Sequence, residues 1–286
     1  MLRSQSASKN EKLSTPLENF LKDRERAIKL CKEKYGEDYF IHENVFIKNN
    51  TRAIELGKGS FGAAYLWHEL DDNQRYIIKV FLDSDVKTYE RELKCLFYLN
   101  QIQIIPFEYK IQLVAFKHKD RQSYICTTNV GEGLVSDLLE DVMYEENVKK
   151  IDLTVAELFL QVSCLIDILH SFDILHCDLH LNNIVYKRNV DKKRVDFQLP
   201  KSKLFFSFIP KYFFFFIDYG LCRLEKTIDY RCNDLSYFCS RFKSFLVNKR
   251  FAETPMIKKI FDIPSAKLLQ FFHTSYKNLQ IPNNIE

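Results

Sequence analysis

Residues 174–186 read ILHCDLHLNNIVY, a run of proton- and metal-capable groups between apolar flanks. The carboxylate of Asp178 can accept or orient the proton of a nucleophilic hydroxyl. Five residues on, Asn183 offers a carbonyl oxygen, a hard ligand suited to Mg2+. Asp218 ends the apolar run FFFFIDYG just before Gly220, a natural place for a second metal-binding carboxylate. His176 and His180 stand four apart, but no third ligand follows at zinc-site spacing. Upstream, Gly57, Gly59 and Gly62 form GxGxxG within LGKGSFGAAY. Strand-type residues follow it, which favours a glycine-rich hairpin over phosphates rather than a dinucleotide-binding turn. Lys79 lies inside the apolar strand YIIKVF, as an edge charge or as a buried cation with a purpose. The helix-like stretch that follows offers Glu92, with Glu90 nearby, as a carboxylate that could pair with it. Each feature also has a plainer reading: an ordinary hairpin, a polar turn joining helix to strand, a solvated helix face.

These groups must be carried by definite elements. At 286 residues, 46% hydrophobic and 14% aromatic, the chain has the length and composition to bury a substantial core. Only seven glycines occur, and six of them fall in three spots, at 57–62, 131–133 and 220. Backbone freedom, or close approach to a ligand, is expected there. Residues 1–15 are polar and expected to be disordered, and a charged amphipathic helix is expected over about 16–35. From about 44 to 130 the pattern is strand-like, with one helix over VKTYERELKCLFYLNQ burying Tyr89, Leu93, Leu96, Phe97 and Leu99. Beyond 133 the chain turns helical, with VAELFLQVSCLIDILHSF repeating apolar residues every three to four positions. A strand at 184–186, a basic segment over 187–203, a Phe-rich strand and further helices from about 233 complete it. The basic segment is read as a solvated surface loop, inserted near the mouth of the site, whose lysines and arginines could draw acidic or nucleic-acid-associated substrates.

The net charge of +4 gives no strong nucleic-acid signal. The eight cysteines form no CxxC pattern and point to free thiols in a reducing compartment. The start of the chain has no apolar leader, and the Phe-rich run is too short and too broken to span a bilayer. A soluble intracellular monomer, in cytoplasm or nucleus, with no membrane attachment, is the expectation.

The order Gly57-x-Gly59-x-x-Gly62, Lys79, Glu92, His176-x-Asp178-x-x-x-x-Asn183, Asp218-Tyr219-Gly220 resembles the eukaryotic protein-kinase family over roughly 50–245. The resemblance implies an α+β, bilobal fold. A small antiparallel N-lobe with one helix (about 44–130) precedes a mostly helical, shortened C-lobe (about 134–286), with residues 1–43 as an extension. It implies an ATP- and Mg2+-dependent kinase acting on Ser/Thr hydroxyls of a protein substrate. Leu56, Gly57, Lys58, Gly59, Ser60, Phe61, Gly62, Ala63 and Ala64 would cradle ATP, and Lys79, held by Glu92, would bind the α/β-phosphates. Asp178 would be the catalytic base, Asn183 and Asp218 would hold Mg2+, and Asp234 would brace the catalytic loop.

The departures from the family pattern are informative. Cys177 stands where regulated members have Arg, His180 replaces a Lys, Tyr219 replaces a Phe, and no Ala-Pro-Glu follows. The short run 221–233 carries phosphorylatable hydroxyls only at Thr227 and Tyr230, which implies activity without a phosphate on that loop. These features are more similar to haspin-type kinases and the divergent kinases of large DNA viruses. Small-molecule phosphotransferases of the aminoglycoside and choline type, and a nucleotide-binding pseudokinase scaffold, remain as alternatives.

Overall fold

Runs of β-branched and aromatic residues bounded by turns build the first of two compact units, Met1–Gln101 with Ile111–Asn129. The computed structural model describes residues 47–48, 51–59, 61–69, 75–82, 85–119, 122–224 and 233–276. The helix expected over 16–35, Ser60, Thr227 and Tyr230 lie outside these residues. Strands β1 (Ile47–Lys48), β2 (Thr51–Gly59), β3 (Gly62–Glu69), β4 (Arg75–Phe81), β5 (Leu113–Lys119) and β6 (Gln122–Thr128) form one antiparallel sheet, ordered β1-β2-β3-β4-β6-β5. Tyr65, Tyr76, Ile78 and Cys126 cluster together, and Val80 and Tyr124 pack against them.

Helix α1 (Val86–Gln101) packs against this sheet, and Tyr89 meets the Phe81 ring edge-on at 5.5 Å. Its buried residues are Thr88, Tyr89, Glu92, Cys95, Leu96, Phe97 and Leu99. The expected face therefore shifts: Leu93 is only half-buried, and Glu92 takes a place in the stripe. Positions 88, 92, 95, 96 and 99 follow one helical face, so a carboxylate there must find a partner or bear a desolvation penalty.

The second unit is Ile102–Lys110 with Val130–Glu286. Its axis is α3 (Val148–Ser171), capped by the Asn147 side chain accepting from Lys150 N at 3.1 Å. From Glu157 to Leu169 every residue of α3 is buried, as expected of a helix apolar on nearly all sides. Around it lie α2 (Val135–Tyr144), α4 (Asp234–Lys249), α5 (Pro255–Asp262) and α6 (Leu268–Tyr276). Strands β7 (Gly133–Leu134), β9 (Ile184–Arg188) and β12 (Tyr212–Phe216) form a small sheet ordered β12-β9-β7. Strand β8 (Ile174–Leu175) pairs with β13 (Arg223–Leu224). Among the described residues no helix is long and apolar enough to cross a membrane.

The segment read from its charge as a surface loop is a β-hairpin. Strands β10 (Val195–Leu199) and β11 (Leu204–Phe208) pair antiparallel, and Val195, Phe197, Leu199, Phe206 and Phe208 are buried. The Phe-rich run is thus two strands split at Pro210 and Lys211, one in the hairpin and one pairing with β9. The hairpin leaves the β9–β12 ladder at the Arg188↔Tyr212 end, whereas Ile184↔Phe216 adjoins Asn183 and Asp218. Its roots therefore stand a full strand, about 15 Å, from those residues.

Three polar side chains of α3 anchor these strands. Asp167 accepts from the backbone N–H of Lys201 and Ser202 at the hairpin turn. Gln161 donates to Tyr212 O at 2.8 Å and accepts from Phe214 N at 3.2 Å, satisfying the outer edge of β12. It also accepts from the Tyr109 hydroxyl at 2.8 Å, which seats residues 102–110 against Phe197 and Phe213. Glu157 accepts from the backbone N–H of Lys211. Burial pushes its carboxyl up to about 8, although the Lys211 and Tyr212 N–H groups pull the other way.

Between the ordinary carboxylate value and about 8, the folded protein therefore holds a proton that the unfolded chain has released. Stability falls as pH rises through that window. Glu157→Gln keeps an acceptor and cannot ionise. Between pH 5 and 8 its Tm should fall less than that of wild type, by roughly 5 °C. Parallel Tm-versus-pH curves for the two proteins would contradict a protonated Glu157.

Candidate active site

In the first unit, β2 and β3 meet as a tight hairpin, with Gly59 opposite Gly62 and a register shift between Glu55 and Gly57. Gly62 is required by the fold itself. Its φ is +152°, and a Cβ there would lie 1.9 Å from Val80 O. Around Gly57 and Gly59 the space is open, and a Cβ would meet nothing within 4 Å. Leu56, Lys58 and these two glycines are exposed, Phe61, Ala63 and Ala64 are half-buried, and Phe61 O accepts from Leu82 N at 3.1 Å.

One strand over, Lys79 pairs in register with Ala64 on β3 and Ile125 on β6. Its Nζ lies 2.7 Å from Glu92 Oε2 and 5.2 Å from the centre of the Phe81 ring. The side chains of Lys79 and Glu92 are 18% and 7% exposed. The lysine in the apolar strand and the carboxylate in the apolar helix stripe thus meet in one ion pair, each offsetting the other's loss of water.

In the second unit, the chain from β8 to β9 is a loop built around its own polar groups. Asp234, the first residue of α4, accepts from the backbone N–H of His176 at 2.9 Å and of Cys177 at 2.8 Å. The His170 ring, at the end of α3, lies 2.9 Å from the same carboxylate. Cys177 adopts the left-handed conformation, φ 63°, which turns consecutive N–H groups toward that one acceptor. Burial would raise the Asp234 carboxyl, but the His170 ring and the two backbone donors outweigh it and hold it below the usual carboxylate range. Asp234 is a fixed anion bracing the loop.

Asn183 Nδ2 donates to Asp178 O at 2.9 Å and to Asp178 Oδ2 at 3.2 Å, closing the loop on itself. Tyr237, on α4, donates its hydroxyl to Asp178 Oδ1 at 3.3 Å. His180 Nε2 lies 3.7 Å from Asp178 Oδ2. Burial lowers the His180 imidazole, Asp178 opposes that, and Arg241 adds to it. The fully buried His176 is likewise lowered by burial, against the pull of Asp234. It donates Nε2–H to Ile217 O at 3.0 Å and is a neutral spacer rather than a proton carrier.

The last member arrives through the backbone. Ile217 N donates to Asn183 O at 2.9 Å, extending the β9–β12 ladder by one rung and delivering Asp218 beside Asn183. Asp218 is left-handed, φ 61° and ψ 70°, and its Oδ1 accepts from Gly220 N at 3.4 Å. A non-glycine residue held in that region costs on the order of 1 kcal/mol, an expense typical of functional sites. Because Asn183 directs its amide N–H groups at Asp178, its Oδ1 is left to act as a ligand. That oxygen and the Asp218 carboxylate are hard donors that fit Mg2+. Among the described residues no cluster of three or more His, Cys, Asp or Glu forms a separate metal centre.

Each unit thus gathers its own expected residues: the glycine hairpin with Lys79 and Glu92 in one, Asp178, Asn183, Asp218 and Asp234 in the other. Two contributors were not anticipated, Tyr237 and Arg241. Helical spacing from Asp234 (i+3 and i+7) would have put both on the face turned to the loop.

The family model described as protein kinase domain matches residues 51–203, a span that contains Lys79, Glu92, Asp178 and Asn183 and stops before Asp218. A comparison with curated proteins found no match. Among solved structures, the crystal structure of a kinase domain is similar at a TM-score of 0.42 and 17% identity, over 66% of this chain and 56% of that one. The chain thus spans just over half the length of that structure.

Proposed function

The chain belongs to the protein kinase domain family, and from that premise we propose that it transfers the γ-phosphoryl group of ATP to Ser/Thr hydroxyls of protein substrates. The observation that carries the reading is the braced loop. Asn183 ties Asp178 through its backbone carbonyl and one carboxylate oxygen, within a loop whose N–H groups are gripped by the Asp234 anion. Asp178 accepts or orients the acceptor proton, and its rigid setting limits the reorganisation needed at transfer. Asn183 Oδ1 and the Asp218 carboxylate hold Mg2+, which when bound supplies charge neutralisation on the phosphate oxygens. Lys79, held by Glu92 at 2.7 Å, binds the α/β-phosphates. Gly57 and Gly59, which meet no steric demand from the fold, let the hairpin backbone of residues 56–64 approach the phosphates closely.

Cys177, His180, Tyr219 and the short run 221–233 support a divergent member similar to haspin-type and viral kinases. A soluble monomer acting on proteins, without nucleic-acid or membrane attachment, completes the proposal. The test combines thermal shift with radiolabelled ATP. Mg-ATP should raise Tm, and label should pass to serine and threonine of a mixed protein substrate. Binding without transfer would mark a scaffold. Label on metabolites but not proteins would mark a small-molecule phosphotransferase. Label on tyrosine alone would overturn the Ser/Thr assignment.

A further inference from the structure

Helix α4 starts at Asp234, the brace of the catalytic loop, so the residue three positions on faces the same loop. Tyr237 occupies it, with its oxygen 3.3 Å from Asp178 Oδ1. An ionised carboxylate only accepts, so the phenol is the donor. Burial raises the Tyr237 hydroxyl above its ordinary value, Arg241 opposes that, and Asp178 adds to it, which keeps the phenol protonated. The other oxygen, Oδ2, takes Asn183 Nδ2 at 3.2 Å and faces His180. The loop therefore grips one carboxylate oxygen and the helix grips the other. One turn along α4, the Arg241 guanidinium lies 5.5 Å from the centre of the Tyr237 ring and seats it, although the residue remains 38% exposed.

We propose that Tyr237, seated by Arg241, is a positioning residue that sets the Asp178 carboxylate in the orientation from which it takes the acceptor proton. The inference rests on the kinase reading above. Tyr237 lies beyond the residues matched by the family model. Asn183 alone leaves the carboxylate free to pivot about its Oδ2 contact, and a second donor on Oδ1 removes that freedom. Each carboxylate oxygen has two lone pairs, so Oδ1 can hold the phenol and still receive the acceptor hydroxyl. The phenol thus orients the base without replacing the substrate.

Tyr237→Phe removes the hydroxyl and keeps the ring under Arg241. With Mg-ATP and a Ser/Thr peptide, kcat should fall about tenfold, the loss of one hydrogen bond to a charged group. KM for Mg-ATP should stay within about twofold and Tm should not change. In an Asp178→Asn background the same substitution should have no further effect on single-turnover rate, because the residue acts through that carboxylate. An unchanged kcat overturns the proposal. A raised kcat also overturns it, showing a phenol that blocks the acceptor. A tenfold loss that persists in the Asp178→Asn background overturns it as well. A wild-type protein inert toward Mg-ATP brings down the kinase reading and this inference together. An active wild type with an unaffected variant brings down this inference alone.

Discussion

Asp178→Asn is expected to lower kcat by about 10²–10⁴-fold at saturating Mg-ATP, the usual contribution of a positioned proton acceptor. The substitution is nearly isosteric, and the surroundings allow it. The new carboxamide can keep its oxygen toward Asn183 Nδ2 and turn its NH2 toward Tyr237, whose hydroxyl accepts as readily as it donates. The brace at Asp234 is untouched, because it grips the backbone of residues 176 and 177 rather than the side chain of 178. Tm and the Kd for Mg-ATP should therefore stay near wild type while turnover collapses. What disappears is the capacity to hold the acceptor proton as it leaves the hydroxyl. Turnover within tenfold of wild type would assign the proton to another group and remove Asp178 from the chemistry.

Much of this arrangement is legible in the sequence, and the reasons are physical. Lys79 in an apolar strand demands an anion, and the following helix offers Glu92; burial makes that demand severe enough to be visible as sequence. The strands of the first unit announce themselves through β-branched runs between turn residues. Other features were hidden by a stronger signal or by none. The charges at Lys192, Lys193 and Arg194 drew attention from VDFQL, whose strict alternation is the pattern of a half-buried strand. The Phe run gave no alternation to read where it becomes β12, because all five of its residues are buried. On α1, Leu93 looked like a better core residue than Glu92, since hydropathy cannot register an ion pair made with another element. Glu157, Gln161 and Asp167 sit among the apolar residues of α3 with nothing in the local sequence to name their partners. Their role in satisfying backbone groups of strands some 35 to 55 residues away leaves no local trace. The rung from Ile217 N to Asn183 O, which delivers Asp218, is likewise a property of pairing register and not of composition.

Lys79→Met should lower kcat/KM by at least about 10²-fold, the scale seen when one charge-stabilising donor is removed from a transfer site. The lysine also partners a buried carboxylate. Methionine fills the volume and can rest against Phe81, but Glu92, at 7% side-chain exposure, loses its ion-pair partner at 2.7 Å. Breaking such a pair from one side costs about 3 kcal/mol, the low end of the range, since 18% of the Lys79 side chain still meets water. The single variant should therefore melt earlier, and its lost activity could be blamed on lost fold. A second substitution separates the two effects. In Lys79→Met/Glu92→Leu both charges are gone and the site between β4 and α1 becomes an apolar contact, which is often as stable as the ion pair it replaces. Its Tm should return to within a few degrees of wild type, while its kcat/KM stays as low as that of the single variant. Recovery of activity along with stability would show Lys79 to be a structural residue, needed only to neutralise Glu92. Stability without activity would place the lysine on the phosphates and leave the glutamate as its support.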